Sequence, residues 1–273
     1  MNPTRSGLSY CQPSLRPITT ISPDRSTFPR YLIYGLVFWY ASGTLAHLLP
    51  TVLPVTRLTT DFFLFVLNGL VVYELYRRRG DRRLFVWIFV AYWFTFFTEA
   101  AGVATGAIFG AYAYGPTMWW QWLGVPFAIA FNWCVLTLAC NEVAIRMLEK
   151  LFPVPNSVSA PGSHERVPEG ELRTEPTAPP PPSGYPLPTI YYALTAAVLT
   201  ALYDVVIEPV AIALDYWQWG GGEIPLQNYL AWAAIAFLIS WPLYAFRIRF
   251  RSPVLVVYFW AQLFFFVVLN YAL

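Results

Sequence analysis

The chain has 273 residues, of which 57% are hydrophobic and only 12% charged, and its mean hydropathy is +0.49. Because a soluble domain carries about 25% charged and about 45–50% apolar residues, this composition excludes an ordinary water-soluble globule. The net charge of +2 is too small to indicate a nucleic-acid partner. Two His, three Cys and no CxxC or HExxH motif leave little for a metal site or a disulfide framework.

Seven apolar runs approach the length that crosses a hydrocarbon core of about 30 Å. They predict an all-α, polytopic membrane protein with spans at residues 31–49, 61–76, 84–101, 126–148, 190–214, 226–246 and 254–273. Residues 1–29 are polar and dotted with proline, with no apolar segment followed by a small-residue cleavage site. They are therefore interpreted as a disordered cytoplasmic tail rather than a signal peptide.

The positions of the basic residues give the orientation of these spans. Seven helices that start from a cytoplasmic N-terminus place all 17 Lys and Arg residues except Arg57 on the cytoplasmic side. The positive-inside rule therefore favours seven spans in the inner (plasma) membrane, with the N-terminus in the cytoplasm and the C-terminus periplasmic or extracellular.

One long connection, residues 152–188, interrupts the series of spans. It holds 11 of the 24 prolines, including the run at 179–182, and almost no large apolar side chains. Such a segment cannot bury a core, so we predict a disordered cytoplasmic linker. It divides the chain into a part with four transmembrane helices, residues 30–151, and a part with three, residues 189–273.

Two stretches on either side of the linker align as an internal repeat. In both, an acidic residue precedes an aromatic-x-aromatic pair by 13 and 15 residues, and a proline precedes a tryptophan by seven. The first stretch holds Glu99, Tyr112, Tyr114, Pro126 and Trp133, and the second holds Asp204, Trp217, Trp219, Pro225 and Trp232. Since both stretches leave and re-enter the membrane in the same direction, they are predicted to be parallel repeats about an axis along the membrane normal.

Three acidic residues are candidates for chemistry inside the membrane. With a rise of 1.5 Å per residue, Glu99 lies about 22 Å and Asp204 about 21 Å from the cytoplasmic start of its span. Glu208 follows Asp204 by four residues and so shares its helix face. Ionisable groups at such depth are costly and usually face a cavity, although a buried pair that only joins helices would look the same in the sequence.

Aromatic and amide residues accompany these acids. Tyr112, Tyr114, Trp217 and Trp219 can contact a polyene or a developing cation, and an aromatic belt at the membrane interface explains them equally well. Each stretch also has an amide on its returning helix, and these are Asn132 and Asn228. Gly102, Gly106 and Gly110 recur every four residues, which predicts one smooth strip for close helix packing.

Several functions are excluded by what the sequence lacks. The sole lysine, Lys150, falls at a cytoplasmic boundary, where it cannot form the Schiff base of a retinal protein. There is no Walker loop, dinucleotide-binding glycine fingerprint or histidine cluster. Acid–base chemistry by carboxyl groups on a lipophilic substrate, or transport, remains.

Four segments resemble the integral-membrane carotenoid biosynthesis protein family, which includes the CruF-type carotenoid 1,2-hydratases and the bisanhydrobacterioruberin hydratases of haloarchaea. The segments read TEAAGVATGAIFGAYAYG, LGVPFAIAFNW, YDVVIEPVAIALDYWQW and IPLQNYLAW, within residues 99–133 and 203–232 and their immediate flanks. This chain has Glu208-Pro209 where family members usually show Asp-Pro. It has Glu223-Ile224-Pro225 where they show a second Gly-Val-Pro.

The resemblance implies the addition of water across the terminal C1=C2 bond of an acyclic (ψ) carotenoid end group, which gives a 1-hydroxy carotenoid without any cofactor. Such a reaction needs a proton donor, a water molecule and shielding of a tertiary cation. We expect Asp204 to be the donor, because depth should make its carboxyl the best desolvated and the easiest to keep protonated, with Glu99 and Glu208 orienting water. The aromatic pairs and the two amides would contact the substrate.

Two other functions fit the same residues. A membrane carotenoid cyclase would use the same protonation but quench the cation with an internal alkene, and a lipophile carrier would bind without chemistry. Lycopene, γ-carotene and a C50 precursor all remain open as substrates. The lipid bilayer and other carotenoid-pathway enzymes are the expected partners, and nucleic acid is not.

The orientation can be checked with reporters fused to the chain. A reporter at the C-terminus should read as periplasmic, and one inserted near Pro180 should read as cytoplasmic, because seven spans separate the two termini. A cytoplasmic C-terminus would show that the number of spans is wrong by one.

Overall fold

The computed structural model describes residues 27–153, 187–248 and 250–273. Seven α-helices lie in these ranges, which confirms the all-α class: α1 Phe28–Leu48, α2 Leu53–Arg79, α3 Arg83–Thr105, α4 Phe127–Leu151, α5 Thr189–Ala213, α6 Leu226–Ala245 and α7 Pro253–Ala272. The N-terminal tail and the proline-rich linker predicted from the sequence fall almost entirely on residues 1–26 and 154–186, outside the described residues.

Six of the helices begin and end within a few residues of the predicted apolar runs, whereas α2 begins eight residues earlier than predicted. Pro54 in its first turn favours helix initiation. The polar residues that follow fit a helix because threonine hydroxyls donate to backbone carbonyls of the preceding turn, as Thr60 does to Thr56 at 2.8 Å. The guanidinium of Arg57 consequently reaches the carbonyl oxygen of Ala213, at 2.6 Å, and caps the C-terminus of α5.

Gly106 ends α3 and does not belong to a continuous helical strip of glycines. It adopts a left-handed conformation with φ of +66° and donates its backbone N–H to Gly102. The helix stops there because this conformation, which glycine tolerates best, turns the chain away from the helix axis. The predicted packing strip of Gly102, Gly106 and Gly110 is therefore wrong, since only Gly102 lies within the helix.

Six helices, α2 to α7, are long and apolar enough to cross a membrane by length and composition. The helix α1 has the required length of 21 residues but is not among these six, and it carries Arg30, Ser42, Thr44 and His47. It packs against α7 and α2. The transmembrane placement of α1, and with it the orientation of the chain, stays a prediction.

The helix α4 lies at the centre of the bundle and packs against α2, α3, α5, α6 and α7. Most of its residues are buried, and it joins the helices on either side of the linker into one core. Its C-terminal half is fixed by a polar contact, because Asn141 donates to Ser240 on α6 at 2.8 Å. Cys134 and Cys140 are buried on this helix as free thiols.

Ion pairs tie together the end of the bundle that carries most of the basic residues. The Glu142 carboxylate lies 2.6 Å from Arg146, and Arg251 from the start of the last helix contacts Glu149 at 2.8 Å. Arg78 pairs with Glu74 at 2.5 Å. The arginines thus neutralise buried carboxylates as well as marking one face of the bundle.

Four short strands, which the sequence analysis did not predict, lie at the opposite end. They are β1 Tyr112–Tyr114, β2 Gln121–Trp122, β3 Val125–Pro126 and β4 Trp217–Trp219. Strand β1 pairs antiparallel with β4, so that Tyr112 faces Trp219 and Tyr114 faces Trp217. The ladder joins the chain before the linker to the chain after it. Whether the two stretches form a true structural repeat stays a prediction.

The space beside Gly102 is filled by an aromatic ring, which gives a test of this packing. A Cβ atom at Gly102 would fall 2.5 Å from the ring of Phe109, which is buried and has little room to move. Gly102→Ala should lower the thermal stability of the purified protein, with a cost of about 1–3 kcal/mol for overpacking. Gly69→Ala is the control, because a Cβ there meets nothing within 4 Å. Equal melting temperatures for both variants would contradict the close approach.

Candidate active site

A cavity of about 360 Å³ lies among the helices, next to the paired strands β1 and β4. Its wall is mainly aromatic and aliphatic, and the few polar groups on it include two carboxyl groups. Pockets that bind small molecules commonly have this character, with a small number of placed polar groups on an apolar surface.

The carboxyl group of Glu99 lies on the cavity wall and is held by three donors. Its Oε2 atom accepts from the hydroxyl of Tyr112 and, at 3.0 Å, from that of Tyr114. Its Oε1 atom accepts from the indole N–H of Trp133 at 2.9 Å. Because β1 is an extended strand, Tyr112 and Tyr114 point to the same side and reach one carboxyl together.

The carboxyl group of Glu208 is held in the same manner from the other part of the chain. Its Oε2 atom accepts from the indole N–H groups of Trp217 and Trp219, both at 2.9 Å, and its Oε1 atom accepts from the amide of Asn228 at 3.1 Å. Both glutamates are therefore desolvated but supplied with three donors each, which is the condition under which a buried carboxyl is tolerated.

The amide of Asn228 connects two carboxyl groups. Its Nδ2 atom lies 2.6 Å from Oδ2 of Asp204 and 3.1 Å from Oε1 of Glu208. Asp204 is fully buried, and its other oxygen has no hydrogen-bond partner among the described residues. Asp204 does not line the cavity, whereas Asn228 and Glu208 do. Asp204 thus lies behind the cavity wall, one helical turn from Glu208.

Aromatic rings surround the two cavity-facing carboxyls. The rings of Trp133 and Trp232 stack with centroids 3.9 Å apart, and both line the cavity. Across the strand ladder, the ring centroids of Tyr112 and Trp219 are 5.2 Å apart, and those of Tyr114 and Trp217 are 5.9 Å apart. Each carboxyl therefore lies among aromatic rings, whose faces attract positive charge.

The two tyrosines of β1 remain neutral donors. Burial, and then the neighbouring Glu99 carboxyl, raise the pKa of the Tyr112 phenol, and the same two causes raise the pKa of Tyr114. Their O–H groups consequently keep their protons at neutral pH and continue to donate to Glu99.

A second polar group of residues lies on the cavity wall formed by α4 and α7. The side-chain oxygen of Asn132 is 2.8 Å from the hydroxyl of Tyr258 and 3.3 Å from the amide nitrogen of Gln262. The side-chain oxygen of Gln262 is buried without a partner in the described part of the chain. Asn132 and Gln262 both line the cavity.

A family model described as carotenoid biosynthesis protein matches residues 60–272, well over half of the chain. The chain belongs to this family. The match spans α3 to α7, all four strands and most of α2, so it includes both glutamates and their donors. No curated protein and no solved structure matches this carotenoid biosynthesis protein.

Eight of the nine site residues proposed from the sequence line one cavity, and Asp204 is the exception. The two aligned acids do not have equivalent contacts, because the tryptophan pair of β4 bonds Glu208 rather than Asp204. The reason is geometric: Glu208 is one helical turn closer to the strand that supplies the donors.

Some cavity residues were not proposed from the sequence. Trp133 and Trp232 appeared in the alignment, but only as matched positions. His47, Tyr216 and Gln262 also line the cavity. The signal for His47 and Gln262 was the presence of a polar side chain within an apolar helix.

The bridging role of Asn228 can be tested in this carotenoid biosynthesis protein by removing its amide. Asn228→Leu keeps a similar volume but removes the amide that donates to both Asp204 and Glu208. We expect a lower melting temperature, since each buried polar group left unpaired costs about 1–3 kcal/mol. The control is Asn270→Leu, which removes an amide on an exposed part of α7. An equally small drop in the melting temperature of both variants would contradict the bridging role of Asn228.

Proposed function

We propose that this membrane protein is a carotenoid hydratase, which adds water across the terminal C1=C2 bond of an acyclic end group to give a tertiary alcohol. The observation that carries the proposal is the pair of cavity-facing carboxyls, Glu99 and Glu208, each held by three donors within an aromatic wall. A proton source and shielding for a cation are two of the things that this reaction requires of a protein.

The size and character of the cavity suit the end of a polyene. At about 360 Å³ it is near the lower limit of small-molecule pockets, which span about 300–1,000 Å³. A long carotenoid would therefore insert one end group and leave the rest of its chain outside the cavity. The apolar wall would solvate the methyl-branched end, and the few polar groups would mark the reacting carbons.

The proton would come from the pair formed by Asp204 and Glu208. The two carboxyls share the Asn228 amide, and neighbouring carboxyls in apolar surroundings cannot both carry a charge. The pair would thus retain one proton that belongs to both residues. Because only Glu208 faces the cavity, Glu208 would hand the proton to C2, and fully buried Asp204 would resupply it.

Glu99 would have a different role, because none of its three donors is shared with a second carboxyl, and all three stabilise its anionic form. A carboxylate on the cavity wall would stabilise the tertiary cation at C1 electrostatically. The rings of Trp133, Trp232 and the β4 tryptophans would add cation–π attraction, of about 0.5–2 kcal/mol for each well-placed ring. The cation would then live long enough to be captured by water.

A carotenoid cyclase is the second candidate, because the predominantly apolar wall would suit an internal alkene as the trap of the same cation. A carrier would bind the polyene and leave it unchanged. The three functions differ in the mass or the retention time of the pigment. Hydration adds the mass of one water molecule, cyclisation changes the retention time without changing the mass, and a carrier changes neither.

Expression in a host that accumulates acyclic carotenoids, followed by mass spectrometry of the pigments, distinguishes these outcomes. We expect a new pigment that is heavier by one water. An isomer of unchanged mass would establish the cyclase instead, and unchanged pigments with well-expressed protein would favour the carrier.

The roles of the carboxyls predict a pattern among amide variants. Asp204→Asn and Glu208→Gln preserve shape but remove the acidic proton, so hydration should fall by about 10²–10⁴-fold, as for a lost general acid. Glu99→Gln should also reduce turnover by removing the negative charge near the cation. Glu223→Gln, in the exposed loop before α6, is the matched control and should retain activity. Near-normal hydration by folded, membrane-inserted Asp204→Asn and Glu208→Gln would disprove the assignment.

A further inference from the structure

The proposed acid leaves a histidine on the cavity wall without a role. His47 on α1 is 7% exposed and lines the cavity. Its Nδ1 atom lies 2.8 Å from the carbonyl oxygen of Gly43 in the same helix. A carbonyl can only accept, so Nδ1 carries the hydrogen, and in the neutral ring the lone pair is on Nε2.

The Nε2 atom has polar groups near it but no short hydrogen bond. It is 3.4 Å from the hydroxyl of Tyr216, which is too long for a strong hydrogen bond, and that hydroxyl is 2.8 Å from the hydroxyl of Thr60. All three residues line the cavity. Burial raises the pKa of the Tyr216 phenol, so its hydroxyl stays protonated. Three such groups provide the two to four partners that an ordered water needs.

The ring of His47 is suited to be neutral in this place. The edge of Phe265 contacts it, with centroids 5.2 Å apart, and no carboxylate lies within hydrogen-bonding distance of it in the described ranges. A buried imidazole that lacks an anionic partner avoids the cost of a desolvated charge by staying neutral. A neutral ring with a free lone pair can accept a proton.

Hydration requires such an acceptor. When water attacks the cation at C1, the new C–O bond leaves a positive charge on oxygen until one proton departs. Both oxygens of Glu99 and both oxygens of Glu208 already accept at least one hydrogen bond from the wall. His47 instead lies on a helix that supplies no part of the proposed acid.

We propose that His47 is the general base that holds the attacking water, together with Tyr216 and Thr60, and removes its proton through Nε2. The inference rests on the proposed hydration. In the balanced step, the acid pair forms the C2–H bond with the π electrons of the C1=C2 bond, which becomes a single bond. Water oxygen then forms the C1–O bond, and one water proton moves to Nε2. The imidazolium then releases that proton, the acid pair is reprotonated, and the net reaction consumes one water.

Deuterium labelling separates the formation of the cation from its capture. In D₂O, a cation that forms but is not captured returns to the alkene by losing one of the two hydrogens at C2. Deuterium accumulates at C2 through the returns in which the original hydrogen leaves. His47→Gln should therefore lose hydrate by about 10²–10⁴-fold, as for a lost general base, while the recovered substrate still acquires deuterium. Glu208→Gln is the comparison, and it should lose both hydrate and deuterium.

A second variant keeps the test independent of the stability of the first. Tyr216→Phe retains the ring but removes the hydroxyl that faces Nε2, and hydrate should fall about fivefold with exchange preserved, as for one lost hydrogen bond. This variant decides the outcome if His47→Gln fails to accumulate in the membrane.

Two results would overturn the inference. One is full hydration by folded His47→Gln. The other is loss of both hydrate and deuterium exchange in this variant, which would show that His47 acts before the cation forms. A wild-type protein that exchanges deuterium but makes no hydrate would instead refute the proposed hydratase function itself.

Discussion

A carboxyl group inside an apolar helix bundle is tolerated only if nearby groups donate hydrogen bonds to it, and this requirement organises the end of the molecule that carries the strands. Helices alone place few donors beside Glu99 and Glu208, because the backbone N–H groups of a helix are used within it. The strands β1 and β4 supply what is missing. Their alternating aromatic residues direct two O–H groups to one glutamate and two indole N–H groups to the other.

The pairing of β1 with β4 also explains why these carboxyls face a cavity instead of packed side chains. The strands form a small ladder beside the cavity, and their rings pack against one another with centroids 5.2–5.9 Å apart, two pairs edge to face and the Tyr112–Trp219 pair tilted. Rings fixed in this way cannot collapse into the space between them. An apolar cavity with fixed charges on its wall is the preorganised environment in which a short-lived cation is stabilised most effectively.

The sequence predicts the helices well because the membrane fixes the length of an apolar run. It predicts the candidate site nearly as well, since acids and amides stand out in apolar surroundings. Two features of the structure could not be predicted from the sequence. The strands are only two or three residues long, too short for a periodic signal beyond the alternation of Tyr-Ala-Tyr and Trp-Gln-Trp. The second is that the β4 tryptophans donate to Glu208 rather than to Asp204. This depends on where α5 ends relative to β4, which spacing along the chain does not determine.

The strand ladder has a consequence for assembly. One strand precedes the linker and the other follows it, and helices α4 and α5 on the two sides also pack together. The cavity therefore lies where two parts of one chain meet, much as a site lies between two subunits. Neither part alone contains both glutamates or both strands of the β1–β4 pair. Transmembrane helices can insert first and associate afterwards. Two co-expressed fragments, divided between α4 and α5, would then recombine into a complete site, whereas either fragment alone would have an unpaired strand edge.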